Sequence, residues 1–475
     1  MRVLSIARKA SSLRELFVFM RNEGHPPLWY VLLYGAYKTF HSVLVLPGLS
    51  FAVAAAAAFL FLARGPFTIF ESVLFLSGSL PFFEYSVMCR NYGISMLLLF
   101  WLCAGFRDRF KRPLTVLAPL FLLGLTNAPS VIVAAVILGA LILEACSPSR
   151  RESSLKDRRL LAAFFACAAA IAAGLLIASP DSTSRIATRT HLGLHDIAAF
   201  ASSFLRDPGK SFSDLLLPIP LFGAAAFAAL SLFLLDAPAL LACFWLAAAG
   251  LAAIFQLVNP GSLRQEGILY VFVIALLWIR PELPRPNIQG PRGPLLDRYQ
   301  RKVFPVLFAG LLALLALHGL KAALSDVRYD FSSSRAFARI IRRDPLLTDA
   351  VLMGEPDEYL ESLPYYLDNP IYFPRGHRFD TWTRFTSEWD KSLTLSGFLD
   401  AAEGLAKKGK PVVILLGTEI SLDERAPGKI SHAYGCELSW TDQDLRRLRS
   451  RASWIARLTS MSEENYNVFV LRPTS

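Results

Sequence analysis

Two stretches limit the fold before anything else: Phe51 to Leu62 reads FAVAAAAAFLFL, and Leu160 to Ala178 runs on without a single charge. A helix crossing the hydrocarbon core needs roughly 20 apolar residues, so segments of this kind span, or nearly span, a bilayer. Composition agrees, with 54% hydrophobic and 18% charged residues, whereas a soluble chain carries about a quarter charged. The expectation is a polytopic α-helical membrane protein. Collagen, disorder and a disulfide scaffold are excluded.

The formal charge of +11 would suggest a nucleic-acid partner in a soluble chain, but its distribution excludes that. From 324 to 475, 20 Lys and Arg stand against 22 Asp and Glu, leaving 29 against 16 for the rest. The basic excess therefore belongs to the membrane part, where positive loops set orientation. Cys89, Cys103, Cys146, Cys167 and Cys243 lie in or beside apolar segments; Cys436 alone falls in the C-terminal region, which leaves that region no internal disulfide. No cleavable signal peptide is legible, because the first 25 residues lack a continuous apolar core.

Three strongly basic loops, Arg107 to Arg112, Arg150 to Arg159 and Arg280 to Lys302, read as cytoplasmic. From these anchors, ten crossings are expected near 49–63, 66–83, 93–106, 113–127, 130–146, 160–179, 214–235, 238–258, 267–280 and 303–323, with both ends outside. Residues 1–48 then form a juxtamembrane segment at the outer face, and 49–323 the transmembrane domain. Pro26 to Phe40 (PPLWYVLLYGAYKTF) is tempting as a further span, but a crossing there would invert every later loop. It reads as an interfacial helix whose Trp29, Tyr30, Tyr34 and Tyr37 suit a headgroup boundary. Residues 1–23, carrying Arg2, Arg8, Lys9, Arg14 and Arg21 against two acids, must lie outside with no upstream helix to export them. Either the positive-inside rule is broken here or an N-terminal span is missing from this chain, and the second is the preferred explanation.

Residues 324–475 form an outer domain. Helical signals at Ser332 to Arg342, Glu358 to Leu367, Gly397 to Lys408 and Asp442 to Ala452 alternate with strand-like runs at Ala350 to Met353, Ile371 to Phe373, Pro411 to Leu416 and Asn467 to Leu471. The pattern suggests a small α/β layer, equally a folded cap with no chemistry of its own.

Four polar clusters fall at the expected outer face. In Glu23-Gly24-His25-Pro26-Pro27, the prolines press His25 toward an extended conformation and pre-set the next helix, which would hold an imidazole and a carboxylate at the membrane surface. The same residues also fit a plain turn before a helix. Glu84, Tyr85, Arg90, Asn91 and Tyr92 lie between two spans; an arginine there can grip a phosphate bidentately or snorkel to lipid headgroups. Asn259, Arg264, Gln265 and Glu266 sit in the tight loop NPGSLRQEG. Loop 180–213 holds Arg185, Arg189, His191, His195 and Asp196, where the two histidines, four apart, would share a helix face; without a third ligand they are weak evidence for a metal.

The block ARKASSLRELFVFMRNEGHPPLWYVLLY, then EYSVMCRNYGISMLLLF, then GSLRQEGILYVFVIALLWI, resembles bacterial membrane glycosyltransferases of the GT-C superfamily, relatives of protein O-mannosyltransferases and lipid A aminoarabinose transferases. The similarity runs in order through most of the membrane region, with HPPLWY and R-x-Y its most specific parts. It implies a GT-C-like fold and transfer of a sugar from a polyprenyl-phosphate donor at the outer face, to a protein, lipid or glycan acceptor. It implies a bacterial inner membrane, with the C-terminal domain in the periplasm, and contact with membrane lipids. It places His25, Arg90 and Arg264 at the donor phosphate, and Trp29, Tyr30, Glu84, Tyr92 and Gln265 along the cavity. No protein metal ligands are assigned; cofactors stay unknown, with a divalent cation left open. Such relatives carry a first membrane helix and then an acidic residue ahead of the ARKASSLRELF-like stretch. The expected acid is absent here, which matches the missing span inferred from charge and leaves Glu23 as the candidate base.

The competing expectation is a catalytically inactive or truncated GT-C-like protein that binds lipid-linked sugar. A transporter would need ionisable or broken helices at mid-membrane depth and repeated halves; neither is legible, since Glu71 and Asp236 lie near span ends.

Overall fold

A computed structural model describes residues 1–179, 193–209, 220–258, 261–283, 292–384, 386, 388–418, 420, 427–432, 435–461 and 464–473. Three short helices open the chain: α1 (Arg2–Lys9), α2 (Leu13–Phe19) and α3 (Leu28–Phe40). The helical layer follows, with α4 (Val45–Arg64), α5 (Ile69–Leu76) continued by a π-type helix (Ser79–Val87), α6 (Tyr92–Gly105), α7 (Leu114–Leu123), α8 (Ala128–Ala145), α9 (Arg151–Lys156) and α10 (Arg158–Ala178). It is completed by α11 (Leu194–Arg206), α12 (Pro220–Phe233), α13 (Pro238–Ala253), α14 (Leu263–Ile279), α15 (Arg292–Arg298) and α16 (Phe304–Arg328). A helix lies on each of the ten segments expected from hydropathy.

Among the described residues, five helices are long and apolar enough to cross a membrane: Val45–Arg64, Ala128–Ala145, Arg158–Ala178, Pro238–Val258 and Pro294–Arg328. Only 28% to 50% of each apolar window is buried against protein. Large side chains such as Phe51, Phe165 and Leu176 face outward, which suits a hydrocarbon surrounding and would be unfavourable in water. α14 is the exception. Every residue from Glu266 to Ile279 is buried, as expected of a helix that is apolar all round. Trp278 near its end joins Phe61, Phe75 and Phe100 in one aromatic cluster.

The end of the helical layer with the basic loops is closed by tight ion pairs. Arg109 grips Glu144 through two bonds of 2.9 and 2.7 Å, and Arg280 reaches the two Asp236 oxygens at 2.9 and 2.7 Å.

At the opposite end stands a sheet domain running from α17 (Ser334–Arg343) to the last strand. Its strands are β1 (Val351–Glu355), β2 (Ile371–Phe373), β3 (Arg378–Phe379), β4 (Ser392–Thr394), β5 (Val412–Gly417), β6 (Gly428–Ser431), β7 (Glu437–Trp440), β8 (Ser453–Leu458) and β9 (Tyr466–Leu471). Six form one sheet in the order β3-β2-β1-β5-β9-β8, and β4-β7-β6 form another. β1 pairs in parallel with β2 and β5, whereas β9 runs antiparallel to β5. β1, β5 and β9 are buried throughout, which explains why they read as unbroken apolar runs. Alternate residues serve the two faces: Leu352, Val413 and Val468 meet Phe337 of α17. Met353, Ile414 and Phe469 meet Phe398 of α18 (Leu395–Ala406) and Leu445 of α19 (Asp442–Arg451).

Arg375, 1% exposed, ties the two sheets together. It bonds Glu355 at 3.0 Å and the carbonyls of Asp390, Lys391 and Glu437 at 2.9, 2.7 and 2.9 Å.

Two expectations need correction. The helix expected over Glu358 to Leu367 is a pair of 3-10 turns, Asp357–Leu360 and Leu363–Tyr365, because Pro364 cannot donate within an α-helix. Glu84 and Tyr85, expected in a loop, lie in the π-type helix.

Candidate functional site

Glu23, His25, Arg90 and Arg264 lie on the side of the helical layer that faces the sheet domain, and α1–α3 are packed between the two. Arg2 Nη1 reaches Glu361 at 3.1 Å, Arg8 donates to the Pro364 carbonyl at 2.6 Å, and Lys9 meets Asp380 at 2.7 Å. Trp382 of the sheet domain is wholly buried among Ile6, Ala10, Leu16, Met20 and Tyr30.

The turn 125–127, between α7 and α8, positions two of the candidate segments at once. The Leu125 carbonyl accepts the Leu28 amide at 3.0 Å, which fixes the chain just after His25-Pro26-Pro27. The Thr126 carbonyl accepts Asn91 Nδ2 at 3.0 Å, between Arg90 and Tyr92. Asn127 caps α8 and donates to Ser95 at 2.8 Å, so the turn itself is held by a buried polar network.

A third segment enters through close packing. Tyr85 donates to the Arg264 carbonyl at 2.8 Å, and a Cβ on Gly267 would lie 2.8 Å from the Tyr85 hydroxyl and 2.5 Å from Leu80. Only glycine lets the π-type helix approach α14 so closely. Arg264, in the first turn of α14 and not in a loop, then stands 3.5 Å from Glu84. Gln265 closes the capping box of α14 by accepting the Ser262 amide at 2.9 Å, and its side chain meets Tyr92.

Glu23 is almost buried and bonds Arg2 at 2.8 Å, with Tyr30 donating from 3.4 Å. Burial pushes its carboxyl up to about 7 against the Arg2 guanidinium. Burial outweighs Arg2, and Glu361, which shares that guanidinium, adds a smaller push in the same direction. Burial, then the Arg90 and Arg2 cations, hold His25 down to about 4. His25 is therefore neutral near pH 7 and would act on a ligand as a hydrogen-bond donor. Its Nδ1 is buried without a hydrogen-bond partner among the described residues.

Arg90 is exposed to solvent. It has no hydrogen bond or ion pair among the described residues, and the protein around it, then the Arg264 cation, work against its charge. A guanidinium stays ionised regardless. Among the described residues Arg90 is thus an arginine with five donors and no carboxylate within ion-pair distance.

The structure brings His25 into electrostatic range of Arg90 and of Arg2, the ion-pair partner of Glu23, with Arg264 and Glu84 acting on Arg90 in turn. Trp29 stands apart, packed against Leu4, Ala7, Leu33 and Val45. Asn259, Arg185, Arg189 and His191 lie outside the described residues, and His195 is exposed on α11, whose first residue is Leu194. Sequence reasoning missed Arg2 and Glu361; their partners are hundreds of residues apart, and no local signal marks them. No group of three or more His, Cys, Asp or Glu side chains able to hold a metal lies among the described residues.

Comparison with protein families, with curated proteins and with solved structures finds no match to this chain.

Proposed function

We propose that the protein is a membrane glycosyltransferase of GT-C-like architecture that takes a sugar from a polyprenyl-phosphate donor. The proposal includes ten crossings, a bacterial inner membrane and a sheet domain on the extracytoplasmic side. The observation that carries it is Arg90: a guanidinium without an ion-pair partner among the described residues, beside Arg264 and a neutral His25, with Arg2 linking His25 to the Glu23 carboxyl, which is raised to about 7.

Each group has work in such a transfer. The acceptor oxygen forms a bond to the anomeric carbon as the bond from that carbon to the phosphate oxygen breaks. The polyprenyl phosphate leaves with the bonding electron pair, and Arg90 and Arg264 offset its growing charge. His25 donates one hydrogen bond to a phosphate oxygen. Glu23, ionised above about pH 7, takes the acceptor's proton. A single displacement of this kind inverts the anomeric configuration. The apolar helix faces accommodate the polyprenyl tail.

The test is release of undecaprenyl phosphate from a panel of undecaprenyl-phosphate-linked pentoses and hexoses by the purified protein, with water as surrogate acceptor. Release that disappears in Glu23→Gln and Arg90→Gln is expected. No release from any sugar, combined with retained binding of the same lipids, would replace this reading by that of a non-catalytic protein binding lipid-linked sugar.

A further inference from the structure

One face of α16 is apolar and outward-facing from its first turn to its last. Val306, Leu317, Leu320, Leu324 and Val327 share that face at helical spacing, and all are exposed, Val327 at 88%. At a rise of about 1.5 Å per residue the stripe is about 32 Å long, which matches a hydrocarbon core of about 30 Å. Val327 therefore marks one boundary of that core. Lys321 lies beside the stripe, where its flexible stem can carry the ammonium out to the headgroups.

The apolar surface does not stop at the end of the helix. Tyr329 and Phe331 follow at once and are exposed. Arg328 lies 5.6 Å from the Tyr329 ring centroid, a pairing that suits the boundary between hydrocarbon and headgroups. Met461 of the sheet domain, 51% exposed, joins them, because its amide donates to the Asp330 carbonyl at 3.2 Å. The π-type helix repeats the pattern beside α16. Gly319 lets α16 press against the turn before that helix, where a Cβ would collide with the Ser77 carbonyl oxygen. Phe82 and Val87 are exposed, and Phe83 meets Phe331 with ring centroids 6.4 Å apart, so this helix reaches the same height. Trp454, also exposed, is no part of the surface. It lies at the start of β8, whose far end leads to Met461, roughly 20 Å away at strand spacing.

We infer that the sheet domain is itself seated on the bilayer, through an edge of Tyr329, Phe331 and Met461 that lies in the headgroup layer. What favours lipid over another partner is continuity: the edge extends an apolar stripe already long enough to cross hydrocarbon. The inference rests on the helices crossing a membrane and not on sugar transfer.

Photo-crosslinking of the full chain in vesicles of phosphatidylethanolamine and phosphatidylglycerol tests it, with p-benzoylphenylalanine replacing Met461 and the product read by intact mass. Leu176, exposed on α10, is the lipid-facing control. Lys410 is the water-facing one. It is exposed just before β5, whose other end lies beside Asn465, the acceptor of the Ser460 amide at 2.6 Å. The length of β5 thus keeps Lys410 roughly 20 Å from Met461. Gain of a phospholipid's mass at Met461, as at Leu176 and not at Lys410, is the expected result, and the same gain is expected with the probe replacing Tyr329. Crosslinked pairs of chains would assign the edge to a second copy, and no adduct at either position would leave it in water; both overturn the inference. The vesicles hold no sugar donor, so failure of the glycosyltransferase reading leaves this outcome unchanged.

Discussion

The two ends of the helical layer treat arginine in opposite ways. At the end with the basic loops, Arg109 and Arg280 are nearly buried, and each is clamped by a carboxylate at 2.7 Å. At the end under the sheet domain, Arg264 stands 3.5 Å from Glu84, and Arg90 has no acid partner among the described residues. A buried guanidinium that has its carboxylate is part of the architecture, because removing either partner strands a charge. One held loosely or not at all, beside a neutral imidazole, has donors left for something that arrives. Arg375 in the sheet domain belongs to the first class.

This contrast can be broken by mutation. Arg280→Gln leaves Asp236 buried and unpaired, and a loss of about 3–5 kcal/mol is expected, read as a lower unfolding temperature in detergent. Retained stability in that variant would undo the distinction between the two ends. Glu23→Gln removes the candidate base and should cost about 10²–10⁴-fold in turnover with the fold intact, measured by undecaprenyl phosphate release. Arg90→Gln should cost about 10²–10³-fold through lost stabilisation of the leaving phosphate, again with the unfolding temperature unchanged. The exposed Lys156–Glu152 pair belongs to neither class, and Lys156→Ala should alter stability by about 0.5 kcal/mol or less.

The pH dependence sharpens the comparison further. Glu23, with its carboxyl raised to about 7, must be ionised to accept a proton, so turnover should fall as pH drops through about 7. The stability effect has the opposite sense. Folded Glu23 holds its proton more tightly than the unfolded chain does, so it disfavours the folded state as pH rises from the ordinary carboxylate range to about 7. His25, lowered to about 4, works the other way: the unfolded chain takes up its proton first, so folding weakens as pH falls through the ordinary histidine range toward 4. A turnover profile with no limb near 7 would remove Glu23 as the base.

The long helices were legible in the sequence because apolar length is a local property, and so were β1, β5 and β9, whose burial on both faces leaves unbroken apolar runs. The interruption at Pro364 was equally local but was outweighed by its helical neighbours. The site was legible only one segment at a time. His25, Arg90 and Arg264 could each be singled out, but their meeting depends on the turn 125–127 and on the close approach at Gly267, which no spacing rule reveals. The pairing of Arg2 with Glu361 and the burial of Trp382 among α1–α3 join the two ends of the chain. The neutral state of His25 also required structure, since it follows from burial and from two cations distant in sequence.

Equilibrium binding of undecaprenyl phosphate to the purified protein tests the central claim most directly, with Arg90→Gln and the charge-conserving Arg109→Lys as a matched pair from the two ends. Affinity falling by about ten-fold or more in Arg90→Gln and holding in Arg109→Lys is the predicted result. Equal affinity in wild type and Arg90→Gln would contradict it.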